Sequence, residues 1–543
     1  MKDFIPVALN GTPNYSSVTG AYQEVSENVL IKIDENNQQY VTRRPVFIDT
    51  GEYTTTLIAG SPTEFGRGMF TWADGSLTYI VSDDYQPTSG GVVNLAPTGS
   101  LINTELLACS APHTNSGTEY LLIQNAGEGN SVRRGNLFYS ASSSAAPTRI
   151  TDANMPGNNG EILARGVVSL AGYVFLLDIN GNIHNSDLND MTTWTATSFI
   201  QRQRKSDIGV YIGAHGGGIV YIGTKSIEFF YLNPNPPAVG SVLSRREDVF
   251  YDIGTPYPNT VYQDGDRIYF VGTSKSGVVG VYMLENFQLT KISDNGLDSI
   301  ATIYTDDEVA TWIDSNASFW SGIKPDWFLV PIKHSGTQGI LVTMRSSGSY
   351  YWTFGSTQWN KWTFGSSPAP SVRGQISSWT FTCPIVSVTP GADVGTFSSN
   401  TDGYFQFTNG LIANSVITTT TDSLGFATID KPRIVFPMWD GGTTAKKRIN
   451  SLRVINNPLN ISGSSFEPID LTLKWRDLDE PITSSLIDIF YYTVGPTIDI
   501  SGIGKPVRRL GSTRKRQFVL DSWEGRSMSN VIGLEIDYDI LDR

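Results

Sequence analysis

The stretch SRREDVFYDIGTPYPNTVYQDGDRIYFVGTSKSGVVGVYMLENFQLTKISDNGLDSI, residues Ser244 to Ile300, decides the fold class. Asp264-Gly265-Asp266 is a turn signal. Behind it, Arg267-Ile268-Tyr269-Phe270-Val271 reads as a strand, with side chains going alternately to opposite faces. The run Gly272 to Gly280 turns the chain, Val281 to Leu284 returns it, and Lys291-Ile292-Ser293 leaves. The spacing predicts most of a small antiparallel sheet with no helix in it.

Similar strand pairs recur along the chain at intervals of roughly 50 residues, the range of propeller blades. Met69 to Trp72 turns at Asp74-Gly75 into Leu77 to Val81, and Tyr120 to Ile123 is followed by Asn136 to Tyr139. Gly172 to Leu177 turns at Asn180-Gly181 towards Trp194, and Ile219 to Gly223 turns at Thr224-Lys225 into Ile227 to Phe230. The opening stretch is the fifth unit. The sixth runs through Trp327 to Val330, Gly339 to Val342, Tyr350 to Phe354 and Trp359 to Trp362. Each unit has an apolar face that it cannot cover alone. Radial stacking covers these faces and leaves only short edges exposed, so an all-β propeller of about six blades is expected. Trp379 to Val386 reads as one further strand.

The two ends differ from the middle. Val29 to Ile33 is the periodic segment before Arg43-Arg44-Pro45. After Lys431, strands resume at Leu452 to Ile455, Asp470 to Trp475, Gln517 to Leu520 and Ile532 to Ile536. These ends are expected to build a second β-sheet platform domain from both termini (residues 1–60 and 431–543), with the propeller (61–430) inserted between them.

The 543 residues carry a net charge of −13, unevenly spread: +2 over 431–543 and −15 over the remainder. An acidic body with a slightly basic end argues against DNA binding by the whole protein. Two cysteines, Cys109 and Cys383, make no disulfide framework, and reduced, buried thiols are expected. No apolar run is long enough to span a membrane, and the N-terminal MKDFIPVALNGTPNY has no signal-peptide pattern.

No enzyme signal stands up. His215-Gly216-Gly217-Gly218 matches the oxyanion-hole string of some esterases, but no G-x-S-x-G elbow accompanies it, so it reads as a glycine turn. Gly223-Thr224-Lys225-Ser226 and Gly502-Ile503-Gly504-Lys505-Pro506 lack the complete phosphate-loop pattern. His113, His184, His215 and His334 are scattered, and neither a metal cluster, a cofactor nor a catalytic residue is expected. The acid pairs Asp83-Asp84 and Asp306-Asp307-Glu308 read as solvated turns. Basic clusters are the better candidates. Lys446, Lys447 and Arg448, Arg508 and Arg509, and Arg514, Lys515 and Arg516 are expected to form a protein-docking surface, and Arg202 to Lys205 a solvated run.

Three stretches resemble the tail hub or nozzle proteins of short-tailed bacteriophages, also called packaged-DNA stabilisation proteins. They are Tyr22-Gln23-Glu24 and Val29 to Ile31 leading to Arg44-Pro45; Arg245-Arg246 through Ile253-Gly254, Asp266 to Gly272, Gly280 to Tyr282 and Lys291 to Ser293; and Leu471 to Trp475, Gly502 to Lys505, Arg508 to Gly511 and Phe518 to Leu520. About 365–430 departs from the pattern. The resemblance implies a structural virion protein, made in the host cytoplasm and placed in the virion tail. It implies a homo-hexameric ring beneath the head-to-tail adaptor, contacting a tail fibre or tailspike. A distal plug or needle protein closes it, and genomic DNA passes through its lumen without sequence-specific binding. A ring of six would carry about −78 formal charges, and acidic walls would repel phosphates at short range. The alternative expectation is a carbohydrate-binding or glycan-hydrolysing propeller, weakened by the lack of S-x-D-x-G-x-x-W repeats.

Overall fold

The structure is a computed structural model. It describes residues 1–6, 26–33, 39–43, 46–49, 66–71, 77–81, 84–87, 93–94, 106, 108–127, 134–142, 147–237, 240–274, 277–294 and 297–298. Beyond these it describes 327–334, 337–344, 348–356, 359–362, 382–384, 404–408, 433–436, 439–456, 469–477, 487–494, 507–508, 510–522 and 531–541.

Six antiparallel sheets follow one another along the chain, each a meander of hairpin-linked strands. The first contains Gly66–Thr71, Leu77–Val81, Asp84–Pro87 and Val93–Asn94. The second contains Cys109–Asn115, Thr118–Ala126, Gly135–Ser140 and Thr148–Arg149. The third is built from Leu163–Leu170, Tyr173–Asp178, Asn182–Asp187 and Asp190–Gln201, and the fourth from Gly209–His215, Gly218–Gly223, Ile227–Leu232 and Leu243–Tyr251. In the fifth, Ile253–Gly254 and Tyr262–Asp264 flank Arg267–Ser274, which continues to Val279–Glu285 and Gln288–Lys291. The sixth holds Phe328–His334, Thr337–Met344, Gly348–Thr353 and Trp359–Trp362. These are the expected propeller blades. The sequence reading ended one strand at Val271, but the ladder runs on through Gly272↔Gly280 to Thr273↔Val279. Gly272 belongs in the strand because the rings of Phe270 and Tyr282, stacked at 5.7 Å, close over it. A side chain there would displace them.

Neighbouring sheets share their cores. One cluster joins Cys109, Leu122 and Leu137 of the second sheet to Val167, Leu176, Val220, Phe229, Ile268 and Phe270 of the next three. Another joins Tyr269 and Val281 of the fifth to Ile340, Tyr350 and Trp359 of the sixth. Arg165, in the first strand of the third sheet and 1% exposed, marks where four sheets converge. Its Nη1 donates to the Pro258 and Val261 carbonyls ahead of the fifth sheet, at 2.5 and 3.1 Å. The guanidinium lies 5.9 Å from the Tyr211 ring of the fourth. It also interacts with the Cys109 thiol of the second, whose pKa burial raises against that attraction. The next residue, Gly166, has φ +112°, and a Cβ there would sit 2.1 Å from the Ile212 carbonyl. Only glycine lets the third and fourth sheets approach along the parallel pair Arg165↔Tyr211.

The termini meet in the platform. Lys2–Pro6, Val29–Ile33 and Gln39–Arg43 share a seven-stranded sheet with Lys447–Asn456, Val507–Arg508, Ser512–Thr513 and Val531–Ile540. A four-stranded sheet of Arg433–Val435, Arg516–Ser522, Ile469–Asp477 and Ile487–Val494 packs against it. Their common core includes Ile5, Val29, Leu452, Val454, Leu473, Phe518, Leu520, Leu534 and Ile536. The last strand alternates as a half-buried strand must: Leu534, Ile536 and Tyr538 are buried, while Glu535, Asp537 and Asp539 point outward.

Residues 26–31 connect platform to propeller. The indole of Trp362 donates to the Val29 carbonyl at 2.9 Å, and Thr353 Oγ1 to Ile31 at 3.1 Å. Glu27 bridges both Lys361 of the sixth sheet and Arg433 of the platform. Val46–Asp49 pairs with Tyr404–Thr408, which pairs with Thr382–Pro384 inside the expected extra strand, so the chain entering the insertion meets the chain leaving it. The expected boundaries at 60/61 and 430/431 lie outside the described residues. Among the described residues no helix is long and apolar enough to cross a membrane.

Candidate docking surface and a buried ionic cluster

The basic residues of the platform fall into two groups. Lys447 is fully buried and Arg516 is 2% exposed, so neither is a surface group. The Lys447 ammonium donates to the carbonyls of Thr443, Ala445 and Arg514 at 2.5, 2.8 and 3.0 Å and lies 5.9 Å from the Trp439 ring. Arg516 grips Asp477 with two bonds of 2.6 and 2.7 Å, donates to the Leu510 carbonyl and covers the Trp475 ring at 4.9 Å. A buried cation needs such partners to offset lost hydration. The sequence reading grouped these two with their neighbours because adjacent strand residues look alike in a charge run, although they face opposite ways.

Lys446, Arg514 and Lys515 are exposed. The pairing Lys447↔Thr513 sets Lys446 beside the two-residue turn Arg514-Lys515, and the carbonyls bound by Lys447 hold both segments in place. Arg448 is also exposed but pairs with Asp539 at 3.1 Å. Hydrogen bonds from Asn450 and from Arg448 lower the Asp539 pKa. Arg508 lies in a strand paired to Ser451, its side chain outside the described set, and Arg509 lies outside the described residues. The strand Arg516–Ser522 reaches Arg433, the residue that Glu27 bridges, only at Asp521. Five residues of strand place the basic turn about 17 Å from that junction.

A second cluster brings together residues that the sequence reading kept apart. His184 Nε2 lies 3.0 Å from Glu161 Oε2 and 3.2 Å from Asp178 Oδ2. Burial would lower the His184 pKa, but hydrogen bonds to Asp178 and Glu161 outweigh it and raise the value to about 9. The His184 bond in turn lowers Glu161 against the opposing effect of its partial burial. The Asn180-Gly181 hairpin was a usable signal, since it folds Asp178 back beside His184. Glu161, from the loop ahead of the third sheet, gave none.

Residues 132–319 match the family described as "Bacteriophage P22 Gp10, beta-propeller". That match, over about a third of the chain, supports a likeness to the tail hub and nozzle family. The matched segment runs from the second sheet through the fifth and contains the stretch on which the sequence resemblance was closest. No curated protein matches. Among solved structures, a chain of the mitotic checkpoint complex is similar at 10% identity and TM-score 0.34, covering 67% of this chain and 93% of that one. A puromycin-hydrolyzing peptidase of Mycobacterium tuberculosis is similar at 8% identity and TM-score 0.31, covering 59% and 49%. A Bacillus subtilis arabinoxylan arabinofuranohydrolase of glycoside hydrolase family 43 gives 10% identity and TM-score 0.24, covering 96% of each chain. Likenesses this weak carry nothing about function.

The strings in this propeller that mimic catalytic motifs are joints between strands. His215 is buried, its Nδ1 2.9 Å from the Asp266 carbonyl while Nε2 accepts from Phe287 N at 3.1 Å. It therefore ties the fourth sheet to the fifth, and Gly216 and Gly217 turn there at φ +56° and +72°. The Thr224-Lys225 turn is filled by Asp207, which accepts from Lys225 N and Ser226 Oγ at 3.0 and 2.9 Å. An acid in that place repels phosphate. The other phosphate-loop string, 502–506, lies outside the described residues, as do Asp83 and 306–308. The 202–205 run is paired rather than merely solvated: Arg202 with Asp207 at 3.2 Å, Arg204 with Glu247 at 2.5 Å and Lys205 with Asp252 at 2.7 Å. Two of those acids lie over 40 residues downstream, beyond any local pattern.

Proposed function

We propose that this phage tail structural protein is the hub or nozzle subunit, six copies forming a ring that docks beneath the head-to-tail adaptor and conducts the genome at ejection. The observation that carries the docking assignment is the exposed trio Lys446, Arg514 and Lys515, at the other end of the strand Arg516–Ser522 from the Glu27–Arg433 bridge. Fixed exposed cations suit an acidic partner surface: they steer approach and set orientation more than they add affinity. The division of labour follows the charge. Residues 431–543, at +2, face the adaptor, residues 1–60 carry −3, and the insertion, at −12, lines a path to which DNA phosphates do not adhere. The domain division is that of residues 1–60 with 431–543 as platform and 61–430 as insertion. Tail fibre and distal plug attach to the propeller side of the ring.

The test is charge reversal of Lys446, Arg514 and Lys515 to Glu together, assayed as assembly onto adaptor-bearing capsids across a salt series. Weakened attachment by a folded protein, with a flatter salt dependence than the parent, supports the assignment; unchanged attachment and retained DNA sink it. Arg516 must be left intact, since reversing it would break a buried pair and confuse folding with docking.

A further inference from the structure

We propose that Glu161, Asp178 and His184 form a binding site for a divalent transition-metal ion, one per chain, that pins the loop entering the third blade to the second hairpin of that blade. Two carboxylate oxygens converge on one imidazole nitrogen at 3.0 and 3.2 Å, and all three donor atoms lie within 4.8 Å of one another. In the metal-free chain a proton on Nε2 serves both carboxylates; a divalent ion displaces that proton and takes Nε2 as a lone-pair ligand between the same two oxygens. An ion about 2.0–2.2 Å from each donor spans ligand-to-ligand edges of roughly 3.0–3.5 Å, the spacing seen at both edges of the imidazole nitrogen. One nitrogen and two carboxylates suit Zn²⁺ or Mn²⁺. Ca²⁺ prefers six to eight oxygens, and Mg²⁺ seldom takes an all-protein cage.

Asn182 offers a further oxygen donor once an ion is bound. Asn182 Nδ2 donates to Asp178 Oδ2 at 2.7 Å, while Asn182 Oδ1 is buried without a partner. The two ends of a carboxamide exchange by a half-turn of the side chain. Turned over, Oδ1 takes the place of that donor beside Asp178 Oδ2, an exchange that gives up the 2.7 Å bond and so accompanies binding of a shared cation. The donors are held from behind. The Asn182 amide donates to Asp178 Oδ1 at 2.9 Å, Glu161 N donates to Asn159 Oδ1 at 3.1 Å, and the His184 ring packs 5.4 Å from Phe199. The Asp178 side chain is fully buried and that of Glu161 is 32% exposed, so water completes the coordination from the Glu161 side.

Because the donors come together only in the folded blade, metal binding adds to folding stability. The full-length chain, stripped with EDTA and dialysed, is titrated with ZnCl₂ by calorimetry, with MgCl₂ and CaCl₂ as controls; Co²⁺ substitution is read by its visible d–d bands. One equivalent of Zn²⁺, a raised thermal midpoint with Zn²⁺ alone, and at least tenfold weaker binding in Glu161→Gln support the site. The half-exposed position of Glu161 keeps that variant folded, and His184→Gln is the second variant. Absence of stoichiometric Zn²⁺ binding by the parent chain overturns the proposal, whatever the variants do. So does equal binding by the parent and a folded Glu161→Gln.

Discussion

The propeller and the platform are both antiparallel β structure, yet they are assembled by opposite rules. Every described blade is a meander of consecutive strands, so its pairings are local. In the platform, Lys2–Pro6 pairs with Val531–Ile540 across nearly the whole chain, and the Met1 ammonium donates to the Tyr538 carbonyl at 2.7 Å. Closing such long loops is entropically costly and slow. The insertion spans the sequence between the paired termini, and residues 26–31 tie it to the platform. The two regions also differ in how they use buried cations. Arg165 is gripped by backbone carbonyls from neighbouring blades, whereas Arg516 holds a carboxylate within one sheet.

That contrast can be broken by experiment. Arg516→Met leaves Asp477 without its partner and should cost about 3–5 kcal/mol. Hydrogen exchange should rise across 433–541 and leave 163–291 protected; loss of protection throughout would mean the two regions fold as one. Arg165→Met should cost about 2–3 kcal/mol, since bonds from a charged donor to two buried carbonyls are lost. Its effect should appear at the joints of the second to fifth blades and spare the platform core. Trp362→Phe removes the indole bond to Val29 and part of the ring stacked on Tyr351, leaving a small cavity, and should cost about 2 kcal/mol, read as earlier exchange of 26–33 and of the sixth sheet with the rest of the chain unchanged. The triple reversal of Lys446, Arg514 and Lys515 should change stability by less than about 0.5 kcal/mol. A calorimetric scan matching the parent, alongside lost adaptor binding, separates presentation of charge from folding.

The same contrast explains what could be read from the chain. Blade strands such as Ile219 to Gly223 and Tyr350 to Thr353 are legible because short runs of β-branched and aromatic residues are bounded by turn chemistry within a few residues. The platform strands were legible one by one, but the pairing of 1–6 with 531–540 has no local signature. Part of the docking edge was legible as a charge run. What the run concealed was direction: Lys447 and Arg516 point into the core and Lys446, Arg514 and Lys515 out of it. Alternation would have flagged this, because the apolar positions Ile449 and Phe518 each sit two residues beyond a buried cation. The Glu161–Asp178–His184 cluster was half legible, through its hairpin, and the remaining acid arrives from a loop that only tertiary packing brings near.

The most direct test is cryo-electron microscopy of the tail on assembled virions. The account predicts a sixfold ring in which each chain shows the inserted propeller, with the Arg514-Lys515 turn of every platform against the adaptor. A ring docked through the propeller, with that turn facing solvent, would contradict it.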